Sequence, residues 1–426
     1  MKRMNDPTLY KYSFWIRWQV QDFGVSKKDN WKSINLVINQ AWNWIHDQVG
    51  KSPPSIEVQP WENKSRIESK RIAGTNWLQQ KKYSYLYDAR ALLDSIYLQM
   101  GVSIAGEEDE KIIPVLQNRL KNFYQAESAK VSAIKLGELT CFYAEVSKKD
   151  NITNIARSCM EKLFPTGCEE ITTINFSWGS ITIPSASSNF FIVLSNMVEA
   201  GISQASQFLN FVLPRLMLAF FKADLEYSDY ESSLRKVAEQ AERKLCRVLE
   251  GREKTGNLKY LENRTLELSR HQDELAENLA KVKQKLITIK TNVRNIEFIL
   301  NDSTIQAEQK LLFERFGEPC RFAAEQMDLD LSYFQSRTEE ATLALQTMRT
   351  FIDIERGKTD RNLVIVLSIV GGIIAIGDAL SEIPFNYRVG MIIGVVLFSI
   401  FFLLFRILKR RFKGIYKIIL SKKSQH

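Results

Sequence analysis

Hydrophobic and polar residues alternate near the start of the chain. Tyr10, Tyr12, Phe14, Ile16, Trp18 and Val20 are interleaved with Lys11, Ser13, Arg17, Gln19 and Gln21, and Trp15 is the one apolar residue on the polar side. A period of two over this length predicts a strand with one buried face. Further strands are predicted at Leu139–Val146 and Asn189–Leu194. A hairpin is predicted over Thr172–Ile183, turning at Gly179–Ser180. Helical spacing predicts helices over Trp31–Val49, Leu86–Met100, Lys111–Ala126 and Ile152–Leu163. Strands mixed with helices over residues 1–200 predict one α+β domain with its own core.

From Gly201 onward the pattern is helical. Gly201–Phe221 is apolar enough to suggest a membrane helix, but Gln204, Gln207, Asn210, Pro214 and Arg215 spread polarity along it. An amphipathic helix docked on the sheet is the better reading, within a helical connector over 201–256. Over 257–356 the period lengthens to seven. Leu261, Leu268, Leu275, Leu279, Val282, Leu286, Ile289, Val293, Ile296 and Leu300 fit one heptad frame, with Thr265 and Gln272 as polar interruptions. A second frame runs through Met327, Leu331, Phe334, Thr338, Ala341, Leu345, Met348 and Ile352. Asn301-Asp302-Ser303 ends the first helix, and Pro319 is expected to interrupt the next. Two heptad helices with a short break predict an antiparallel coiled-coil stalk.

Two apolar runs follow within 357–408. Leu363–Ile383 would span about 31 Å as a helix, against a hydrocarbon core of about 30 Å. The second run, Val389–Phe405, reaches a similar length when taken as 387–407. Neither has a polar face wide enough for a soluble surface helix. The pattern therefore predicts a C-terminal two-helix transmembrane hairpin. Its short turn, Ser381–Arg388, should lie outside.

The charge distribution sharpens this picture. The chain has a net charge of +9 and five cysteines, three histidines and eight tryptophans. Arg406, Lys409, Arg410, Arg411, Lys413, Lys417, Lys422 and Lys423 crowd the end of the chain without one acidic residue, and they account for nearly all of the net charge. A basic excess confined to one tail does not point to nucleic acid. Beside a membrane helix it marks the cytoplasmic side, with Arg406, Lys409, Arg410, Arg411 and Lys413 placed to meet anionic lipid headgroups. No signal-peptide pattern opens the chain. Both termini are thus expected in the cytoplasm of a multi-pass inner-membrane protein, with 409–426 as its basic tail.

Candidate chemistry is sparse. Cys141, Cys159, Cys168, Cys246 and Cys320 have no metal-like spacing and read as free thiols. His46, His271 and His426 are far apart in sequence. Gly50-Lys51-Ser52 and Gly357-Lys358-Thr359 match only the end of a phosphate loop. No nucleophile elbow or paired catalytic carboxylate is present, so no enzyme is expected. Along the first apolar run, Ser368, Gly371, Gly372, Ala375, Asp378 and Glu382 fall on one narrow side. That stripe suits close helix packing or the lining of a pore, and Asp378 with Glu382 would form an acidic mouth or sit in interfacial water.

This arrangement, with a stalk running into the first of two membrane helices and a basic tail, resembles the CorA-like superfamily of metal-ion transporters over about residues 200–415. The family's Gly-Met-Asn signature is replaced here by Gly377-Asp378-Ala379, and Gly390-Met391 is followed by Ile392. The resemblance implies a pentameric homo-oligomer whose first membrane helix lines the pore. Some relatives without the signature are membrane effectors beside bacterial defence systems. The expected function is cation conduction or membrane permeabilisation gated by the N-terminal domain. The alternative is a membrane-anchored coiled-coil scaffold. No cofactor is expected. A divalent cation and a small regulatory ligand remain open, and metal-binding residues are unassigned.

Overall fold

The structure is a computed structural model that describes residues 4–379 except 17–26, 51–69, 75–76, 93–94, 110, 128–134, 148–150, 164–170, 185–188, 251–257 and 302–308. Contacts divide the chain into two compact units, Met1–Arg243 with Asp273–Thr338, and Lys244–Gln272 with Glu339–His426.

The first unit is built on a ten-stranded sheet. Its strands are β1 (Met4–Ile16), β2 (Lys70–Gly74), β3 (Leu78–Gln80), β4 (Tyr83–Leu92), β5 (Ser95–Ile104), β6 (Glu107–Glu108), β7 (Lys135–Val146), β8 (Ile171–Phe176), β9 (Gly179–Pro184) and β10 (Phe190–Asn196). They lie in the order β2-β4-β5-β1-β7-β10-β9-β8, with β3 on β4 and β6 on β1. All pairs are antiparallel except β7 with β10, which are parallel. A parallel pair needs a long crossover connection, and here it includes α3 (Ile152–Leu163) and the β8–β9 hairpin.

One face of the sheet packs on α1 (Lys27–Val49), α2 (Ile112–Glu127) and α3, in a core that includes Leu9, Trp15, Ile38, Trp42, Leu98 and Phe142. The other face packs on the first part, up to Asp229, of a helix that runs from Glu199 to Glu250. This helix comprises α4 (Glu199–Gln207), α5 (Leu213–Asp229) and α6 (Arg235–Glu250), joined by π-helical turns at Phe208–Val212 and Tyr230–Leu234. On this face Phe14 stacks obliquely on Phe221 with centroids 5.5 Å apart.

Covering both faces changes how the sequence pattern reads. The alternation in β1 is real, yet Lys11 and Ser13 on its polar side are each only 1% exposed. Lys11 meets Glu138 at 3.1 Å. Trp15, the exception in the pattern, belongs to the α1–α3 core. The helix expected at Leu86–Met100 is instead part of two antiparallel strands, β4 and β5. Leu86, Ala89, Ile96 and Met100 have helical spacing, but nearly every residue of β5 is buried, so its strand periodicity is erased. The hairpin turns at Ser177–Trp178 rather than Gly179–Ser180. Gly179 already belongs to β9, where a Cβ would overlap the Leu194 carbonyl of β10.

The first π-helical turn has a local cause. The Leu213 amide donates to the Phe208 carbonyl, five residues back. The Leu209 carbonyl would then need the amide of residue 214, which is proline and has no N–H. Tyr12 Oη of β1 donates to that carbonyl instead, at 3.0 Å in a buried site. Gln99 Nε2 of β5 donates both to Tyr12 Oη at 3.2 Å and to Asn210 Oδ1 at 3.1 Å. The sheet therefore satisfies a helix defect that the sequence itself creates.

The long helices are α7 (Leu258–Asn301) and α8 (Gln309–Ala379). In the first unit they run antiparallel, since Lys290 pairs with Asp328 and Glu297 with Arg321, each at 3.1 Å. Leu275, Val282, Ile289, Ile296, Met327 and Phe334 are buried there. Pro319, expected to interrupt a helix, lies inside α8, which continues through it. In the second unit, Arg356 pairs with Glu262 at 2.6 Å and Gln272 Nε2 donates to Thr342 Oγ1 at 2.6 Å.

The expected fold class and location need correction. Among the described residues no helix is long and apolar enough to cross a membrane. The described part of the first apolar run, Leu363 to Ala379, continues α8 without a break. The C-terminal transmembrane hairpin is therefore withdrawn, and with it the multi-pass inner-membrane location. The second run, 387–407, and the basic tail, 409–426, lie outside the described residues.

The π-turn account has a measurable consequence. Tyr12→Phe should leave the Leu209 carbonyl buried and unpaired, lowering stability by about 1–3 kcal/mol in urea titration. Pro214→Ala restores a backbone donor, so Tyr12→Phe should cost clearly less in that background. Equal costs in the two backgrounds would show that Pro214 does not create the need for Tyr12.

Candidate functional site

A polar cluster with buried members lies in the first unit, where α5, α6, α7 and α8 meet around the second π-helical turn. It begins with a polar stripe on α7. Asn278, Lys285 and Asn292 recur one heptad apart and are all buried. The two asparagines turn back onto their own helix. Asn278 Nδ2 donates to the Glu274 carbonyl and Asn292 Nδ2 to the Thr288 carbonyl, each at 2.9 Å.

Lys285 reaches across to α5. Its Nζ lies 2.7 Å from Glu226 Oε2 and 2.8 Å from Asp229 Oδ2, with its side chain 5% exposed. Burial alone would lower its pKa, but the hydrogen bonds and charges of Asp229 and Glu226 outweigh burial, and the pKa is raised. Lys285 therefore stays protonated and cannot serve as an amine nucleophile.

The neighbouring turn has its own chemistry. Ser233 Oγ donates to the Asp229 carbonyl at 2.9 Å and lies 3.3 Å from Asp229 Oδ1. Such back-bonding by serine loosens an α-helix, and here the Arg235 amide reaches back to the Tyr230 carbonyl to close the π-turn. Tyr230 is 1% exposed, and its hydroxyl donates to Asp330 Oδ2 of α8 in a short hydrogen bond. Arg235 Nε approaches the same oxygen at 3.4 Å, while Gln326 Nε2 donates to Asp330 Oδ1 at 3.1 Å. Burial first, and then Asp330, push the Tyr230 pKa far up, so the phenol keeps its proton. One turn further, Glu242 Oε1 accepts from Tyr333 at 3.1 Å and faces Arg337 at 3.5 Å.

This arrangement ties α5, α6, α7 and α8 together through paired charges and hydrogen bonds. Asp229, the carboxylate beside the Ser233 hydroxyl, is itself paired with Lys285. Burial pushes the Cys141 thiol up, and burial followed by the charge of Asp224 takes Cys320 up to about 12, so neither is a ready thiolate. At the C-terminal ends of the parallel strands, Tyr143 Oη lies 2.9 Å from Ser195 Oγ, but Ser195 is fully buried. Among the described residues no group of three or more His, Cys, Asp or Glu side chains could hold a metal ion.

The sequence-derived site residues are not gathered here. Ser368, Gly371 and Gly372 lie on α8 and are exposed. Ser368 Oγ donates to the Val364 carbonyl at 2.7 Å, and the Cβ positions of the two glycines face open space. Ala375 and Asp378 fall within α8, near the end of its described part. Glu382, Arg406, Lys409, Arg410, Arg411 and Lys413 lie outside the described residues. The polar stripe Asn278-Lys285-Asn292 went unread in the sequence, although its heptad spacing was available as a signal.

The second unit holds a groove of about 770 Å³ lined by Leu258, Leu261, Ala344, Met348 and Phe351, with Arg264 at its edge. Arg264 caps α6 by donating to the Val248 carbonyl at 2.6 Å and the Leu249 carbonyl at 3.2 Å. No protein-family model matches this chain, and no curated protein matches it. The CorA-like resemblance therefore rests on the sequence alone.

Removing Lys285 should expose how the cluster is balanced. Lys285→Met strands two partly buried carboxylates and should destabilise the chain by about 3–5 kcal/mol in denaturant titration. In a Glu226→Gln/Asp229→Asn background the same change should cost far less. The sign with pH follows from the raised pKa. The contribution is complete below the ordinary lysine value of about 10.4 and fades as pH climbs through the higher folded value. A wild-type minus Lys285→Met stability difference that already shrinks between pH 6 and 9 would contradict this account.

Proposed function

We propose that the protein is a non-enzymatic, self-associating helical scaffold. The sheet domain holds the Glu199–Glu250 helix on one side, and that helix fixes the register of an α7–α8 coiled coil. The coiled coil presents apolar side chains outward for association with further copies. Buried polar residues in helical bundles are best attested as register devices, and the Lys285 and Asp330 clusters suit that role.

One observation carries this reading. Phe322 and Leu329 stand one heptad apart on α8 and are 67% and 68% exposed, in the same unit that buries Met327 and Phe334. An isolated exposed leucine needs no explanation, but large apolar side chains repeated along one helix face mark an interaction surface. The aromatic and aliphatic pair is flanked by Glu318, Arg321, Glu325 and Asp328, a polar border that suits a protein interface. Among the described residues no helix is long and apolar enough to cross a membrane, so a conduction path through a helix hairpin is not carried forward.

Sedimentation equilibrium tests the proposal. The full chain should sediment as an oligomer, and Phe322→Ser/Leu329→Ser should reduce its mass while leaving its melting temperature within a few degrees. A monomeric wild type, or a double variant of unchanged mass, would overturn the scaffold reading.

A further inference from the structure

The two edges of the sheet are treated differently by the sequence. β2 forms one edge, begins with Lys70 and Arg71, and has a register irregularity against β4 between Arg71 and Ala73. Cations and bulges of this kind are how natural sheets keep an edge from pairing. β8 forms the other edge. Its sequence, Ile171-Thr172-Thr173-Ile174-Asn175-Phe176, has no charge and no proline, and its register with β9 is unbroken. Among the described residues β8 pairs with β9 alone.

The hairpin geometry says which backbone groups are open. Phe176 and Gly179 close a two-residue loop, and the closing pair of such a hairpin is hydrogen-bonded. Phe176, Ile174 and Thr172 therefore bond to β9, while Ile171, Thr173 and Asn175 turn their N–H and C=O groups away from it. Access is open on both faces of the edge. Thr172 and Asn175, which point to opposite faces, are both exposed.

We infer that β8 is a pairing site for β8 of a second copy, joining two sheets edge to edge about a two-fold axis. An antiparallel register that sets outward groups against outward groups places Thr173 opposite Thr173 of the second copy. Ile171 then lies opposite Asn175 of the second copy, and Asn175 opposite its Ile171. No charged residue enters this pairing, whereas self-pairing of β2 would bring Lys70 and Arg71 into the contact. The contact is isologous and closes on itself, so it makes a pair rather than a filament. It is independent of the helical surface proposed above.

Cysteine cross-linking of the full chain tests the register. Directly opposed residues of neighbouring strands lie within disulfide reach, but residues offset by two positions do not. Under mild oxidation Thr173→Cys should convert most of the protein to a covalent dimer. Thr172→Cys, whose two copies are offset, should cross-link no more than wild type. The reduced Thr173→Cys protein should melt with the wild type. Should it fail to fold, Ile171→Cys/Asn175→Cys is the second probe, and it should also link two copies. Absence of cross-linking in a folded probe, or equal cross-linking of Thr172→Cys, would overturn the inference. Phe322→Ser/Leu329→Ser should leave the Thr173→Cys cross-link intact, which separates this contact from helical association.

Discussion

The carbonyl of Leu209 is where the sheet and the long helix depend on each other. Pro214 removes the amide that would have served it in a π-helical turn, and the hydroxyl of Tyr12 takes that place from the centre of the sheet. A buried acceptor without a donor is costly, so the helix has one favourable axial position on the sheet. Gln99 reinforces it by donating to both Tyr12 and Asn210. With this anchor set, Phe14 can meet Phe221, and the downstream turn at Tyr230–Leu234 falls at a fixed distance along the same helix.

The second π-helical turn extends the same logic into the helical part of the first unit. Each π-turn adds a residue and rotates the following helix face by about 100°. Tyr230 is thereby buried against Asp330, and Asp229 with Glu226 is left for Lys285. Polar groups in such a place add little net stability over apolar packing, but they penalise every other register strongly. The proposed scaffold, presenting Phe322 and Leu329 at a defined level, would gain from that selectivity more than from extra stability.

Some of this was open to a reader of the sequence. The β1 alternation, the heptad positions of α7 and α8 and the long helical stretch after Gly201 follow from local spacing. The polar heptad Asn278-Lys285-Asn292 was equally visible but overshadowed by the stronger leucine frame beside it. The β4–β5 hairpin was not legible, because a strand covered on both faces loses its alternation and Leu86, Ala89, Ile96 and Met100 then fit a helical period as well. Pro319 misled for a related reason. Proline disfavours a helix interior locally, yet packing along α8 carries the helix through it, as Phe316 and Cys320 on either side are buried.

The sequence by itself determined which segments have one apolar face and at what period, since that is a property of neighbouring residues. It also determined the defect at Pro214, because a missing amide needs no partner to be known. Only the tertiary structure decided what answers that defect and which polar side chains are buried. Lys11 and Lys285 look like solvated charges until segments distant in sequence close over them. Periodicity records a preference for burial on one side, whereas burial on the other side depends on which remote element arrives there.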